Sequence, residues 1–272
     1  MKRVKKHGVL SQRGCLRRYN SGNNVNASER LVLFPWAGAG ASAYRHFIDL
    51  LPNTIEVLVV QLPGREDLYR QPRLLTMNQI VSYLLDDLIA LFDRPVSFFG
   101  HSMGALVAYE CALALKKLID LDPKALILSG CETPNSKNCA PYVRCLASAS
   151  EETLMEDLRQ MGGTHSAIMD STEMMRTLLP VLRADYQVLD NYTSKVSPRL
   201  SCPLVIAGGK EDISITLESL ADWKPLSAGE FHVYWFEGDH FYLCSDPQLL
   251  AVHIQTWIKM LTPSPISTEL IA

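Results

Sequence analysis

Short apolar runs alternate with amphipathic stretches through the first half of the chain. Leu31-Val32-Leu33-Phe34, the β-branched run Ile55 to Leu62, and Val96-Ser97-Phe98-Phe99 are brief and largely apolar. Strands covered on both faces read this way. Between them, Met77 to Phe92 sets Ile80, Val81, Leu84, Leu85, Leu88 and Leu91 at steps of three and four. That is the stripe of an amphipathic helix, with Thr76 placed to cap it and Pro95 just past its end. Residues 103–118 are apolar nearly all round, which predicts a buried helix. Lys124–Ser129, Pro203–Ala207 and Phe231–Phe236 read as further strands, and a helix from Pro247 to Met260 closes the pattern. Strands alternating with helices imply a mostly parallel sheet with right-handed crossovers.

One segment interrupts the alternation. In residues 148–195, Ser148 and Glu151 have the spacing of a capping box, and Leu154, Met155, Leu158 and Met161 follow at helical spacing up to Gly162-Gly163. A second helical stretch runs from Thr172 to Leu189, with Pro180 expected to kink or break it. This is too long for one crossover, and residues 148–193 are expected to form a helical lid over the sheet.

Charge divides the chain of 272 residues unevenly. Residues 1–28 carry seven of the 26 basic residues and none of the 29 acidic ones, so the rest is acidic by ten. A basic leader can be drawn to nucleic acid or membrane, but its composition is also that of a solvated, flexible leader, which is the expectation. The domain reading is therefore a leader at 1–28, a core at 29–262 and a tail at 263–272. No apolar h-region follows the basic start and no long apolar run occurs, so neither export nor a membrane span is expected. Seven cysteines, an odd number without CxxC spacing, argue against a disulfide framework or structural zinc. A cytoplasmic setting is expected, with no metal, no cofactor and no nucleic-acid partner.

Phe99-Gly100-His101-Ser102-Met103-Gly104 is a G-x-S-x-G sequence that follows a predicted strand and opens a predicted helix. That is the context of a nucleophile elbow on an α/β-hydrolase fold. Ser102 would be presented at the sheet's C-terminal edge. The Met103 N–H, at the positive end of the helix, could hold an oxyanion. A serine needs a base, and in this fold the chain order is Ser, acid, His. His240 follows the strand ending at Phe236, whereas His165 falls in the lid segment, His232 in a strand and His253 in the last helix. Asp212, after the turn Gly208-Gly209-Lys210-Glu211, is the best placed acid; Glu211 and Asp239 are its rivals. The loop Pro35–Ser42 is small-residue rich and would supply the second oxyanion donor. It lacks the spacing of a phosphate-binding loop.

These residues resemble the type II (external, editing) thioesterases of polyketide and nonribosomal peptide synthesis. The resemblance runs from Leu31 to Trp257 and rests on Phe34-Pro35-Trp36-Ala37-Gly38, Gln61-Leu62-Pro63-Gly64-Arg65-Glu66 and the Ser102 elbow. It continues through Leu182-Arg183-Ala184-Asp185, Gly208–Asp212 and Asp239–Leu243. It implies a triad of Ser102, Asp212 and His240, an oxyanion hole at the N–H groups of Ala37 and Met103, and a mobile lid. Asp239 departs from it, standing where the family has glycine, as does Ala39 in a loop that is often richer in glycine. The implied substrate is an acyl thioester on the phosphopantetheine arm of a carrier protein, the partner of a monomeric enzyme. A chain-terminating fatty acyl thioesterase, a general esterase and an inactive hydrolase-fold binding module are the alternatives.

Overall fold

The computed structural model describes residues 14–19, 27–133, 145–164, 166–193 and 198–260. Among the described residues, seven strands form one sheet: β1 (Leu16–Arg18), β2 (Glu29–Phe34), β3 (Ile55–Val60), β4 (Val96–His101), β5 (Leu126–Ser129), β6 (Leu204–Gly209) and β7 (Phe231–Phe236). Their order is β1-β3-β2-β4-β5-β6-β7, with every pairing parallel except the antiparallel β1–β3 edge. The helices are α1 (Arg45–Ile48), α2 (Met77–Ile89), α3 (Met103–Ile119), α4 (Glu151–Met161), α5 (Ser166–Met169), α6 (Thr172–Asp190), α7 (Leu217–Ala221), α8 (Tyr242–Ser245) and α9 (Pro247–Met260).

The continuous apolar strands have the expected cause. Val32 and Phe34 of β2 face a core shared with α2 and α3, while Leu31 and Leu33 face a second core with α1 and α9. Each central strand is thus buried on both sides, so none needs a polar face. Thr76 caps α2 by accepting from the Gln79 N–H at 3.2 Å.

Three expectations are corrected. Part of the 1–28 leader belongs to the sheet: β1 pairs with β3, with Cys15 and Leu16 buried. Its arginines guard an exposed edge, Arg17 against Asp67 and Arg18 against Glu56. The remainder of the leader (1–13 and 20–26), Cys139, His165 and the tail at 263–272 lie outside the described residues. The cap of α4 is Ser150, which accepts from the Thr153 N–H, rather than Ser148. Finally, α6 runs unbroken through Pro180. Pro180 is exposed, so the carbonyl it leaves unpaired meets water, while Met175, Leu179 and Leu182 are held in a separate small core with Leu154 of α4.

The two long helices of the 148–193 segment thus lie together and form that core of their own. The six described cysteines are free thiols. No described helix is long and apolar enough to cross a membrane.

Candidate active site

Ser102 stands between β4 and α3 at φ 55°, ψ −122°, a conformation that costs a non-glycine residue energy and must be imposed by its surroundings. Its N–H donates to the Ser129 carbonyl of β5 at 2.8 Å. The flanking glycines allow the turn to close. A Cβ on Gly100 would strike the Gly104 carbonyl, and one on Gly104 would strike the Phe34 carbonyl of β2. The elbow is therefore clamped between two neighbouring strands.

His240 follows β7 and Asp212 follows β6, and adjacent parallel strands bring the two loops together. His240 Nδ1 lies 2.7 Å from Asp212 Oδ2, and both residues are buried. The other Asp212 oxygen accepts from the Ser214 N–H at 2.8 Å and the Ser214 hydroxyl at 2.7 Å. Burial pushes the Asp212 carboxyl upward, but the hydrogen bonds and charge of His240 and the Ser214 donors outweigh it and hold the group below the ordinary carboxylate value. Asp212 is thus an ionised acceptor for His240 Nδ1, and the other ring nitrogen, Nε2, is not engaged by it. The rivals are placed elsewhere: Glu211 is exposed, and exposed Asp239 accepts from the Phe241 N–H. Of the other candidate histidines, His232 sits in β7 and His253 in α9.

Ser102 and His240 open into a cavity of about 30 Å³, walled by Trp36, Ala37, Leu182 and Phe241 and closed by Asp157, Leu158 and Met161 of α4. That is room for a group about the size of a water molecule. A larger cavity of about 340 Å³, between α2, α3 and the end of α6, contains none of the sequence-predicted residues. Among the described residues, neither the Ala37 nor the Met103 N–H has a protein acceptor. Met103 is the first residue of α3, where an unpaired N–H and the helix dipole coincide.

The loop carrying Ala37 is held by side chains to which sequence reasoning assigned no task. Gln61 accepts from the Ala41 N–H at 2.7 Å, and Glu66 accepts from the Ser42 N–H at 3.2 Å. Arg65 donates to the Ala39 carbonyl at 3.0 Å and, through two nitrogens, to both carboxylate oxygens of Asp185 at 2.7 Å. Asp185, from α6, in turn accepts from the Gly38 N–H at 2.8 Å. Two separated sequence motifs therefore converge on one loop. Their only signal in the sequence was the resemblance itself, because Arg65 and Asp185 are 120 positions apart. Ser214 was missed too, although Asp-x-Ser is the spacing of an Asx turn.

Next to Ser102 and His240, His101 Nδ1 lies 2.9 Å from the Ser129 hydroxyl, which lies 2.7 Å from the Tyr242 hydroxyl. The His101 ring is 4.8 Å from that of His240, centroid to centroid. Full burial, reinforced by nearby His240, holds His101 well below its ordinary value, so it is neutral. Among the described residues no three His, Cys, Asp or Glu side chains are grouped to bind a metal ion.

Comparisons with known proteins point to one family. A family model described as a thioesterase domain matches residues 29–258. The gramicidin S biosynthesis protein GrsT of Aneurinibacillus migulanus is 37% identical over 222 residues, covering 81% of this chain and 86% of that protein. The medium-chain S-acyl fatty acid synthase thioesterase of Homo sapiens is 32% identical, covering 90% of this chain and 91% of that protein. The solved structure of the type II thioesterase BorB from the borrelidin biosynthetic cluster superposes with a TM-score of 0.81 at 28% identity, covering 93% of this chain and all of that one.

Proposed function

The chain belongs to the thioesterase domain family and has its α/β-hydrolase fold, and from that premise we propose that it hydrolyses acyl thioesters on the phosphopantetheine arm of a carrier protein, clearing stalled or misprimed acyl groups during polyketide or nonribosomal peptide assembly. One observation carries the reading to the site: the strained Ser102 shares a cavity with His240, whose other nitrogen is engaged by buried Asp212.

In this reading Ser102 Oγ attacks the thioester carbonyl while His240 Nε2 takes its proton. The Ala37 and Met103 N–H groups receive the oxyanion. Asp212 stabilises the imidazolium formed. Collapse of the intermediate expels the phosphopantetheine thiolate, which takes the proton from His240 and leaves an acyl-Ser102 ester. Water, deprotonated by His240, attacks that ester and releases the carboxylic acid and free Ser102. The chain's own residues suffice, with no cofactor beyond the arm brought by its partner. The enzyme is read as a cytoplasmic monomer.

A chain-terminating fatty acyl thioesterase is the second reading, favoured by the likeness to the human protein. The small cavity supports short acyl groups instead. The deciding measurement compares acetyl- and decanoyl-carrier protein with acetyl-pantetheine and an acetyl oxygen ester, using Ser102→Ala as control. Preference for the carrier-bound acetyl thioester, lost in the variant, is expected. Preference for the decanoyl thioester overturns the editing role, and preference for the oxygen ester leaves a general esterase.

A further inference from the structure

Asp157 sits in a place that triad chemistry does not explain. It lies on α4, is only 5% exposed, and lines the cavity above Ser102 and His240. Its Oδ2 accepts from the Tyr186 hydroxyl of α6. Its Oδ1 is buried without a hydrogen-bond partner among the described residues. The nearby walls are apolar: Trp36, Leu158, Met161, Leu182 and Phe241. A buried carboxylate oxygen without a partner is costly. A tie between α4 and α6 needs only one of the two oxygens, so the tie does not account for the second.

We propose that Asp157 is a specificity-determining residue, whose free oxygen receives an N–H or O–H donor on the carbon next to the thioester carbonyl, so that short amino- or hydroxyacyl groups are preferred to alkyl groups of the same shape. This rests on the thioesterase reading above and adds the class of acyl group. The cavity beside Asp157 has room for one small group, such as an ammonium or a hydroxyl. Burial raises the Asp157 carboxyl above its ordinary value, and the Tyr186 hydrogen bond and the charge of His240 offset only part of that rise. A cationic ammonium group would add to the latter effect and favour the ionised acceptor.

The test uses three acyl groups of nearly equal shape on one carrier protein: alanyl, lactyl and isobutyryl, which differ only in an ammonium, hydroxyl or methyl group. The readout is the ratio of kcat/KM values within each enzyme preparation, which is independent of how much of a variant is folded. Comparing that ratio between wild type and Asp157→Asn cancels the thioesters' intrinsic reactivities. The asparagine can still accept from Tyr186 but turns an N–H toward the cavity. We expect the alanyl-to-isobutyryl ratio to fall about tenfold, or about 1.4 kcal/mol, with Tyr186→Phe retaining the wild-type preference. A fall confined to alanyl identifies charge pairing, and an equal fall for lactyl identifies hydrogen bonding; either supports the assignment. Ratios unchanged in Asp157→Asn overturn it while leaving the thioesterase intact. If wild type cleaves none of the three, the short-acyl editing reading itself fails, and this inference with it.

Discussion

The two sides of the cavity are built by different means. On the sheet side, backbone geometry places the candidate reacting groups: Ser102 is fixed by a strained turn between two strands, and His240 and Asp212 stand on loops of adjacent parallel strands. On the lid side, α4 and α6 have a small core of their own. Much of their connection to neighbouring segments is through side chains, including Asp185 to Arg65 and Gly38, and Arg183 to the carbonyls of Ala147 and Ala149. Backbone placement gives a precise and unvarying geometry for bond making. The lid side is joined to the rest through side chains, although Val188 of α6 is buried in the main core.

Breaking each side should therefore give different losses. The largest effect is expected from Asp212→Asn, which leaves the backbone intact but frees the wrong tautomer of His240; kcat should fall by roughly 10⁴-fold with little change in the melting temperature. A loss below tenfold would remove Asp212 from the triad. Next is Arg65→Met, which leaves Asp185 buried without its cation and should cost about 3–5 kcal/mol in denaturant unfolding. It should also lower kcat, because Ala39 loses its anchor and Asp185, which holds Gly38, loses the guanidinium that fixes it. Adding Asp185→Leu should recover stability but not kcat. Recovery of both would show that the pair does not position the oxyanion loop.

A smaller effect is set by pH. Folded His101 stays neutral, whereas in the unfolded chain it takes up a proton below its ordinary value. The unfolded state then binds more protons, so stability falls as pH falls, by about 1.4 kcal/mol per unit below roughly pH 6.5. Denaturant titrations at pH 7.5 and 5.5 should show a shallower decline for His101→Asn; equal declines would contradict a buried neutral ring. The smallest effect is Arg183→Ala, which removes two hydrogen bonds from the lid side at 2.7 and 2.8 Å. We expect a loss of about 1 kcal/mol, read as faster amide exchange near residues 146–150 with the sheet unchanged.

Local patterns carried much of this protein. The two-sided burial of β2 to β6 is written in their largely apolar runs, α9 spans the stretch read as a helix, and Gly-x-Ser-x-Gly between a strand and a helix marked Ser102. Chain order after predicted strands pointed to His240 and Asp212. Each of these is decided within a few residues, or by the rule that parallel strands present their loops at one edge. Other features depended on groups far apart in sequence. β1 looked like basic leader because three residues show no period, and only pairing with β3 made them a strand. Pro180 could sit within α6 because tertiary packing left it on the solvent side. The meeting of Arg65 with Asp185, and of Asp157 with Tyr186 above Ser102, has no local signature. A carboxylate's character is set by what folding brings against it: Asp212 gained donors for both oxygens, Asp185 gained a guanidinium, and Asp157 kept one oxygen free.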